Sequence, residues 1–116
     1  MVVEDDRRIA AMLAKGLRSR GHAVDVVATG SAALARLDRG DIDIQVLDLG
    51  LPDMDGLDVL RQLAATGSTV PVIVVTARSD PSDRDTALAL GVAAYITKPF
   101  SWSVVWQAVD AAVHPA

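Results

Sequence analysis

The stretch VPVIVV, residues 70–75, is an almost unbroken run of β-branched residues. Such a run predicts a strand that is buried on both faces, because a strand with one solvated face alternates apolar and polar residues. Strands of this kind occur mainly in parallel sheets that carry helices on each side. This one segment therefore predicts an α/β fold.

Outward from this run, strand patterns alternate with helix patterns along the chain. Strands are predicted at 2–3, 23–28, 42–47, 70–75 and 94–97, and helices at 31–37, 57–65, 81–90 and 101–113, with a further helix between an Asp5 or Asp6 cap and Gly21. Aspartates and a proline mark the predicted helix starts, and glycines mark the ends. Five successive strand–helix units predict a doubly wound, five-stranded parallel sheet with helices on both faces.

Composition limits the range of functions. The chain has 116 residues, no cysteine, a formal net charge of −4 and a pI near 4.9. This length fits one domain, and the absence of cysteine excludes disulfides and thiolate metal sites. The acidic balance argues against direct contact with nucleic acid, which needs a basic face. The sequence contains no apolar run long enough for a membrane span and does not open with a signal peptide, so we expect a soluble, cytoplasmic protein.

Polar residues of unusual type stand at the ends of the predicted strands. Glu4 and Asp5 follow strand one, Asp48 follows strand three, Thr76 follows strand four and Lys98 follows strand five. Ligands of open α/β sheets bind beyond the carboxyl ends of the strands, where the strand order reverses. If strands one and three are neighbours, in the order 2-1-3-4-5, all five side chains converge. Contact with water alone would account for one or two of these residues, but not for all five.

Three carboxylates brought together repel one another and need a cation. Because only oxygen ligands are available, Mg²⁺ is the natural choice. Lys98 adds a second positive charge and Thr76 adds a hydroxyl donor. These groups around one carboxylate are typical of phosphoryl transfer, in which a carboxylate can itself be the nucleophile and form an aspartyl phosphate.

Four motifs in this order resemble the receiver domain of a bacterial two-component response regulator. They are VVEDD at 2–6, LDLGLPDMDG at 47–56, VTAR at 75–78 and GVAAYITKPF at 91–100. The resemblance covers essentially the whole chain, so residues 1–116 are interpreted as a single receiver domain. It implies a flavodoxin-like (βα)5 fold with strand order 2-1-3-4-5. The wording of the last two motifs is most similar to receivers of the winged-helix transcription-factor class.

The resemblance assigns roles at the phosphorylation site. It implies that Asp48 is the phosphoacceptor, that Asp5 ligates Mg²⁺ directly and Glu4 through water, and that the backbone carbonyl of Gly50 is a further ligand. Lys98 would hold a phosphoryl oxygen. Asp53 and Asp55, in the same loop, are interpreted as structural, with Asp55 capping the next helix.

The resemblance also implies that a second group of residues takes part in switching. Thr76 would move to hydrogen-bond the phosphoryl group, and Tyr95 would turn inward behind it. Ala77 must stay small so that the phosphate can approach. The Lys98–Pro99 peptide resembles the family's cis bond, which aims the lysine.

The resulting hypothesis is a phosphorylation-controlled switch rather than an enzyme, assisting only its own phosphorylation and dephosphorylation. A sensor histidine kinase or phosphotransfer protein would donate the phosphoryl group, and the face formed by the fourth helix and the fifth strand and helix would control an output domain or protein partner. One alternative is a small Mg²⁺-dependent phosphatase, but position 50 is Gly where such enzymes carry an acid/base Asp. The other is a constitutive pseudo-receiver, which would have lost Asp48 or Lys98.

Two departures from the resemblance concern assembly and phosphate lifetime. The charged residues of the class's dimer are mostly replaced, by Ala93, Ala94, Val104 and Ala108. We therefore expect any homodimer through the last helix to be apolar, with Trp106 on the outer face beside Val104. Gly50 also lacks the side chain that the family usually carries there, which leaves one side of the path of hydrolytic water open, with Arg78 on the other side.

Overall fold

The computed structural model describes residues 1–113 and contains five strands and five helices in strict alternation. In chain order they are β1 (Val2–Val3), α1 (Arg7–Ser19), β2 (Val26–Val27), α2 (Gly30–Leu37), β3 (Gln45–Leu47), α3 (Gly56–Ala65), β4 (Val72–Thr76), α4 (Pro81–Ala89), β5 (Ala94–Thr97) and α5 (Trp102–Val113). The strands form one parallel sheet in the order β2-β1-β3-β4-β5. The predicted fold class and strand order are therefore confirmed.

β1 and β5 have the predicted bounds, whereas β2, β3 and β4 are shorter than predicted, β2 and β3 most. β2 covers only 26–27 of the predicted 23–28, because its neighbour β1 offers two paired positions, Val2 to Val26 and Val3 to Val27. β3 begins at Gln45 rather than at residue 42. β4 begins at Val72 rather than at residue 70, since Pro71 has no N–H to donate to the ladder. The four helices predicted with both bounds differ from the observed helices by no more than one residue at either end, which is within ordinary fraying.

Both faces of the sheet are covered by helices. Val3, Leu47 and Val74 point to the side packed by α2, α3 and α4, whereas Val2 and Ile73 point to the side packed by α1 and α5. All five residues of β4 are buried, which confirms the interpretation of the VPVIVV stretch. Each fully buried Val, Leu or Ile side chain contributes roughly 1.5–3 kcal/mol relative to an exposed one, so the sheet is anchored from both sides.

Trp106 lies between α5 and α1, and the expectation that it shares an outer face with Val104 was wrong. A Cβ atom at Gly16 would overlap the Trp106 ring, so this glycine gives the indole its place on α1. Trp106 also stacks on Trp102, with ring centroids 5.6 Å apart, and lies 4.7 Å from the Arg20 guanidinium carbon. Residues two positions apart on a helix point to nearly opposite sides. Val104 therefore lies on the side of α5 away from Trp106, where it is 46% exposed. No helix within residues 1–113 has the length and apolar character needed to cross a membrane.

Candidate functional site

The acidic cluster forms where β1 and β3 end side by side. The register pairs Val3 with Leu47, so Glu4 and Asp48 leave the sheet as neighbours, and Asp5 follows. One carboxylate oxygen from each of these three residues lies within 4.8 Å of the others. Glu4 and Asp48 are 3% and 9% exposed, whereas Asp5 is exposed. The convergence predicted from the strand ends is confirmed for these three acids.

Lys98 bridges two of the carboxylates. Its Nζ donates to Glu4 Oε1 at 2.7 Å and to Asp48 Oδ2 at 2.9 Å. The backbone holds it there, because the Lys98 N–H donates to the Thr76 carbonyl at 2.8 Å. The peptide bond between Lys98 and Pro99 is cis, as the resemblance implied. Three acids against one ammonium leave an excess of negative charge at the end of the sheet.

The two buried carboxyls respond differently to this environment. Burial raises the pKa of Glu4 to about 7, with the adjacent Asp48 acting in the same direction and Lys98 opposing it. Burial also acts to raise the pKa of Asp48, but hydrogen bonds from Lys98 and the Gly50 N–H outweigh it and the pKa is lowered. Lys98 is likewise desolvated, yet its bonds to the two acids raise its pKa. Like charges this close titrate as a coupled pair, in which the pKa of Glu4 is raised and that of Asp48 is lowered.

The donor set fits a hard divalent cation. It consists of oxygen ligands only, carries excess negative charge, and is open to solvent on the side of Asp5. Mg²⁺ prefers such oxygen ligands and keeps several of its own waters, which an open side allows. Glu4, Asp5 and Asp48 are the residues that would hold the ion.

The β4–α4 loop is tied together through Arg78. The Arg78 N–H donates to Thr76 Oγ1 at 3.3 Å, and the Arg78 carbonyl accepts from the Tyr95 hydroxyl at 2.9 Å. Its guanidinium donates to Asp55 Oδ1 at 2.8 Å, an ion pair that the sequence did not reveal. Thr76 is 1% exposed and Tyr95 is partly buried, while Ala77 faces solvent. Movement of Thr76 and Tyr95 stays a prediction.

The loop at 48–56 owes its shape to the two aspartates interpreted as structural. Asp55 caps α3 by accepting the Leu57 N–H at 2.9 Å, which confirms its predicted role as a cap. Asp53 accepts from the Gly30 and Ser31 N–H groups at 2.8 and 3.0 Å, a link to the start of α2 that the sequence did not predict. Gly50 is exposed, and a Cβ atom there would contact only Asp48 Oδ1, at 3.7 Å.

The family model described as the response regulator receiver domain matches residues 1–110. The chain belongs to this family. Over 101 residues, or 87% of its length, this receiver domain is 50% identical to the sensory transduction protein RegX3 of Mycobacterium tuberculosis. Over 103 residues it is 44% identical to the transcriptional regulatory protein CutR of Streptomyces coelicolor. The alignments cover 44% and 48% of these relatives, so the chain spans less than half of their length.

Solved structures agree with the family. The non-phosphorylated HemR receiver domain of Leptospira biflexa superimposes with a TM-score of 0.92 at 27% identity, covering 99% of this chain and 93% of that one. The BeF3-activated DrrB receiver domain gives a TM-score of 0.85 at 28% identity, covering 97% and 93%. Receiver domains are the phosphorylation-controlled switches of two-component signalling, so the predicted family and general function are confirmed.

Proposed function

We propose that this receiver domain accepts a phosphoryl group on Asp48, with Mg²⁺ held by Asp5 and Asp48 directly, by Glu4 through water and by the Gly50 carbonyl. The observation that carries the proposal is the cluster of three carboxylates within 4.8 Å, with the Lys98 ammonium 2.9 Å from Asp48 Oδ2. When bound, the ion would supply positive charge to the phosphoryl oxygens. The donor would be a sensor histidine kinase or a phosphotransfer protein.

The chain's own residues prepare the nucleophile. Asp48 is kept ionised by the Gly50 N–H on Oδ1 and by Lys98 on Oδ2, so one of its oxygens can attack phosphorus while the bond to the donor's leaving group breaks. Lys98 would then exchange its bond to the carboxylate for one to a phosphoryl oxygen. Phosphoryl transfer depends mainly on such positioning and charge neutralisation, and needs no further acid or base from the protein.

Switching would follow from the loop that carries Thr76. Its hydroxyl already touches the Arg78 N–H, and the Arg78 carbonyl holds the Tyr95 hydroxyl, so movement of Thr76 toward a phosphoryl group would disturb both contacts. The affected face is that of α4, β5 and α5, which would control an output domain or protein partner. This is a shift between two conformational states rather than enzymatic turnover. With a net charge of −4, the domain itself would not contact nucleic acid.

Intact mass measurement with acetyl phosphate tests the proposal. We expect one phosphoryl adduct that requires Mg²⁺, is lost with EDTA, and is absent from Asp48→Asn. An adduct that persists in Asp48→Asn would contradict the assignment. Sustained turnover of a phosphomonoester would favour the small-molecule phosphatase instead, an alternative already disfavoured by Gly50 at the acid/base position and by the family match.

Binding of Mg²⁺ should depend on pH near neutrality. Because the pKa of Glu4 is about 7, its carboxyl is protonated below that pH and must lose its proton before it can assist the metal. Affinity is therefore expected to fall about tenfold between about pH 8 and about pH 6, with release of a proton on binding. Titration calorimetry in two buffers of different ionisation enthalpy measures both effects. In Glu4→Gln the pH dependence should largely disappear, and its persistence would exclude Glu4 as the cause.

The lifetime of the phosphorylated form should depend on Gly50. Hydrolysis needs a water in line with the acyl phosphate bond, and Gly50 leaves that approach uncovered, while Arg78 is held by Asp55. Gly50→Met is expected to slow spontaneous dephosphorylation without weakening Mg²⁺, since residue 50 would ligate through its backbone. Mass measurement of the decay, beside a Mg²⁺ titration, checks this. Normal Mg²⁺ affinity with unchanged or faster decay would refute it.

We propose that any homodimer through the last helix is apolar. Ala93, Ala94, Val104 and Ala108 carry no charge, and Trp106 is occupied by its contacts with α1. Val104, at 46% exposure, is what α5 offers to a second copy. Sedimentation with and without a phosphoryl mimic, at low and high salt, is expected to show no salt-sensitive dimer. A dimer that dissociates with added salt would contradict this, because salt screens ionic contacts and not apolar ones.

A further inference from the structure

Asp53 completes the N-terminus of a helix to which it does not belong. The first turn of α2 has N–H groups without partners inside the helix. Thr29, the residue before the helix, takes that of Ala32 on its hydroxyl at 3.1 Å. Those of Gly30 and Ser31 donate instead to Asp53, one to each carboxylate oxygen, at 2.8 and 3.0 Å. The two caps share the same helix, but only Asp53 ties it to the loop at 48–56.

The residue next to Asp53 reinforces this link. Met54 lies so close to Gly30 that a Cβ atom at position 30 would overlap its side chain, and it packs against the core cluster beneath α2 and α3. Hydrogen bonds from Ser31 and Gly30 lower the pKa of Asp53, so its carboxylate stays charged against the positive end of the helix. The loop is thus held to α2 by two hydrogen bonds to the charged Asp53 carboxylate and by one close apolar contact of Met54.

The base of the loop is held separately. Gly50 and Asp55 form an isolated β-bridge, and the Leu51 and Gly56 N–H groups both donate to the Leu49 carbonyl, at 3.1 and 2.8 Å. Between these points, the loop reaches the rest of the domain through Asp53 and Met54, and through Leu51, which also packs against the core cluster. The peptide that carries the Gly50 carbonyl is restrained by the Leu51 N–H, and release of Asp53 and Met54 would free the segment that continues from it.

We propose that Asp53 is a positioning residue for the metal site, whose bonds to α2 restrain the loop that carries the Gly50 carbonyl. The inference rests on the proposed function, in which that carbonyl is a Mg²⁺ ligand. Asp53 touches neither ion nor phosphoryl group in this scheme and acts through the loop. Loss of groups that orient metal ligands typically weakens metal binding by about 10- to 100-fold, and Asp53→Ala is expected within that range.

The chain offers a matched control in Thr29→Ala. This change also removes a cap from α2, at a cost of about 1 kcal/mol, but the hydrogen bond that it removes does not involve the loop at 48–56. Mg²⁺ affinity is measured by calorimetry without phosphodonor for wild type, Asp53→Ala, Thr29→Ala and Asp53→Asn, beside the free energy of unfolding. Asn keeps one acceptor oxygen, so Asp53→Asn should bind Mg²⁺ with an affinity between those of wild type and Asp53→Ala. This variant also provides the test if Asp53→Ala folds poorly.

Hydrogen exchange of the metal-free protein gives a readout independent of the metal. The amides of Gly50, Leu51, Asp53 and Met54 should exchange faster in Asp53→Ala than in Thr29→Ala, although both variants lose a cap on α2. The inference is supported if Asp53→Ala alone loses Mg²⁺ affinity and loop protection. It is overturned if Asp53→Ala binds like wild type, or if the two alanine variants lose affinity equally, since Asp53 would then only stabilise α2. Failure of wild type to bind Mg²⁺ would instead refute the proposed function, and the exchange data distinguish that case.

Discussion

Lys98→Ala is expected to slow phosphorylation by about 100-fold or more, the cost usual for removing one preorganised group that stabilises charge in a transition state. The reason is the place of the ammonium, 2.9 Å from Asp48 Oδ2 and 2.7 Å from Glu4 Oε1, where a transferred phosphoryl group would meet it. Mg²⁺ affinity should be retained or rise slightly, because the ammonium no longer competes for these two carboxylates. Rates from acetyl phosphate and calorimetric titration with Mg²⁺ measure the two effects.

The control for this variant is Lys15→Ala, because Lys15 is the other lysine of the chain and lies exposed on α1. It should phosphorylate at the wild-type rate. If Lys98→Ala abolishes Mg²⁺ binding while the fold is intact, the division of roles between lysine and carboxylates is wrong.

Gly56→Ala is expected to lower the free energy of unfolding by roughly 3 kcal/mol, at the upper end of the usual cost of overpacking. A Cβ atom at residue 56 would lie 2.5 Å from Leu49 Cα and 2.9 Å from the Asp48 carbonyl oxygen. Both neighbours are backbone atoms of the segment that carries the candidate nucleophile, so neither can turn away as a side chain could. Urea unfolding of the metal-free protein measures the loss.

Gly50→Ala is the control, because it adds the same methyl group to the same loop where a Cβ atom meets only Asp48 Oδ1, at 3.7 Å. Its stability should lie within about 1 kcal/mol of wild type. Equal stability of the two variants would show that the close approach at Gly56 does not restrain the loop.

The sequence predicted the fold because the relevant signals are local. The VPVIVV run showed its double burial directly, and caps and glycines marked helix ends within about a residue. It predicted the convergence of Glu4, Asp5 and Asp48 because the carboxyl ends of parallel strands meet at one edge. The roles of these residues were inferred from chemistry and family resemblance, and they stay predictions.

The contacts that the sequence did not reveal join residues distant in the chain. Asp53 and Gly30 are 23 positions apart, as are Arg78 and Asp55, and no periodicity links either pair. Trp106 was misplaced because its partner is a glycine, whose missing side chain gives no hydrophobic signal in α1. β2 was overextended because strand length depends on the partner, and β1 offers two residues.

Borohydride trapping of the phosphorylated protein tests most directly whether Asp48 carries the phosphoryl group. Borohydride reduces an aspartyl phosphate to homoserine, and peptide mass mapping then identifies the position that carried the phosphoryl group. Homoserine is expected at position 48 alone, formed only when Mg²⁺ and phosphodonor are both present. Homoserine at position 5, 53 or 55 instead, or a phosphorylated protein that yields none, would contradict this expectation.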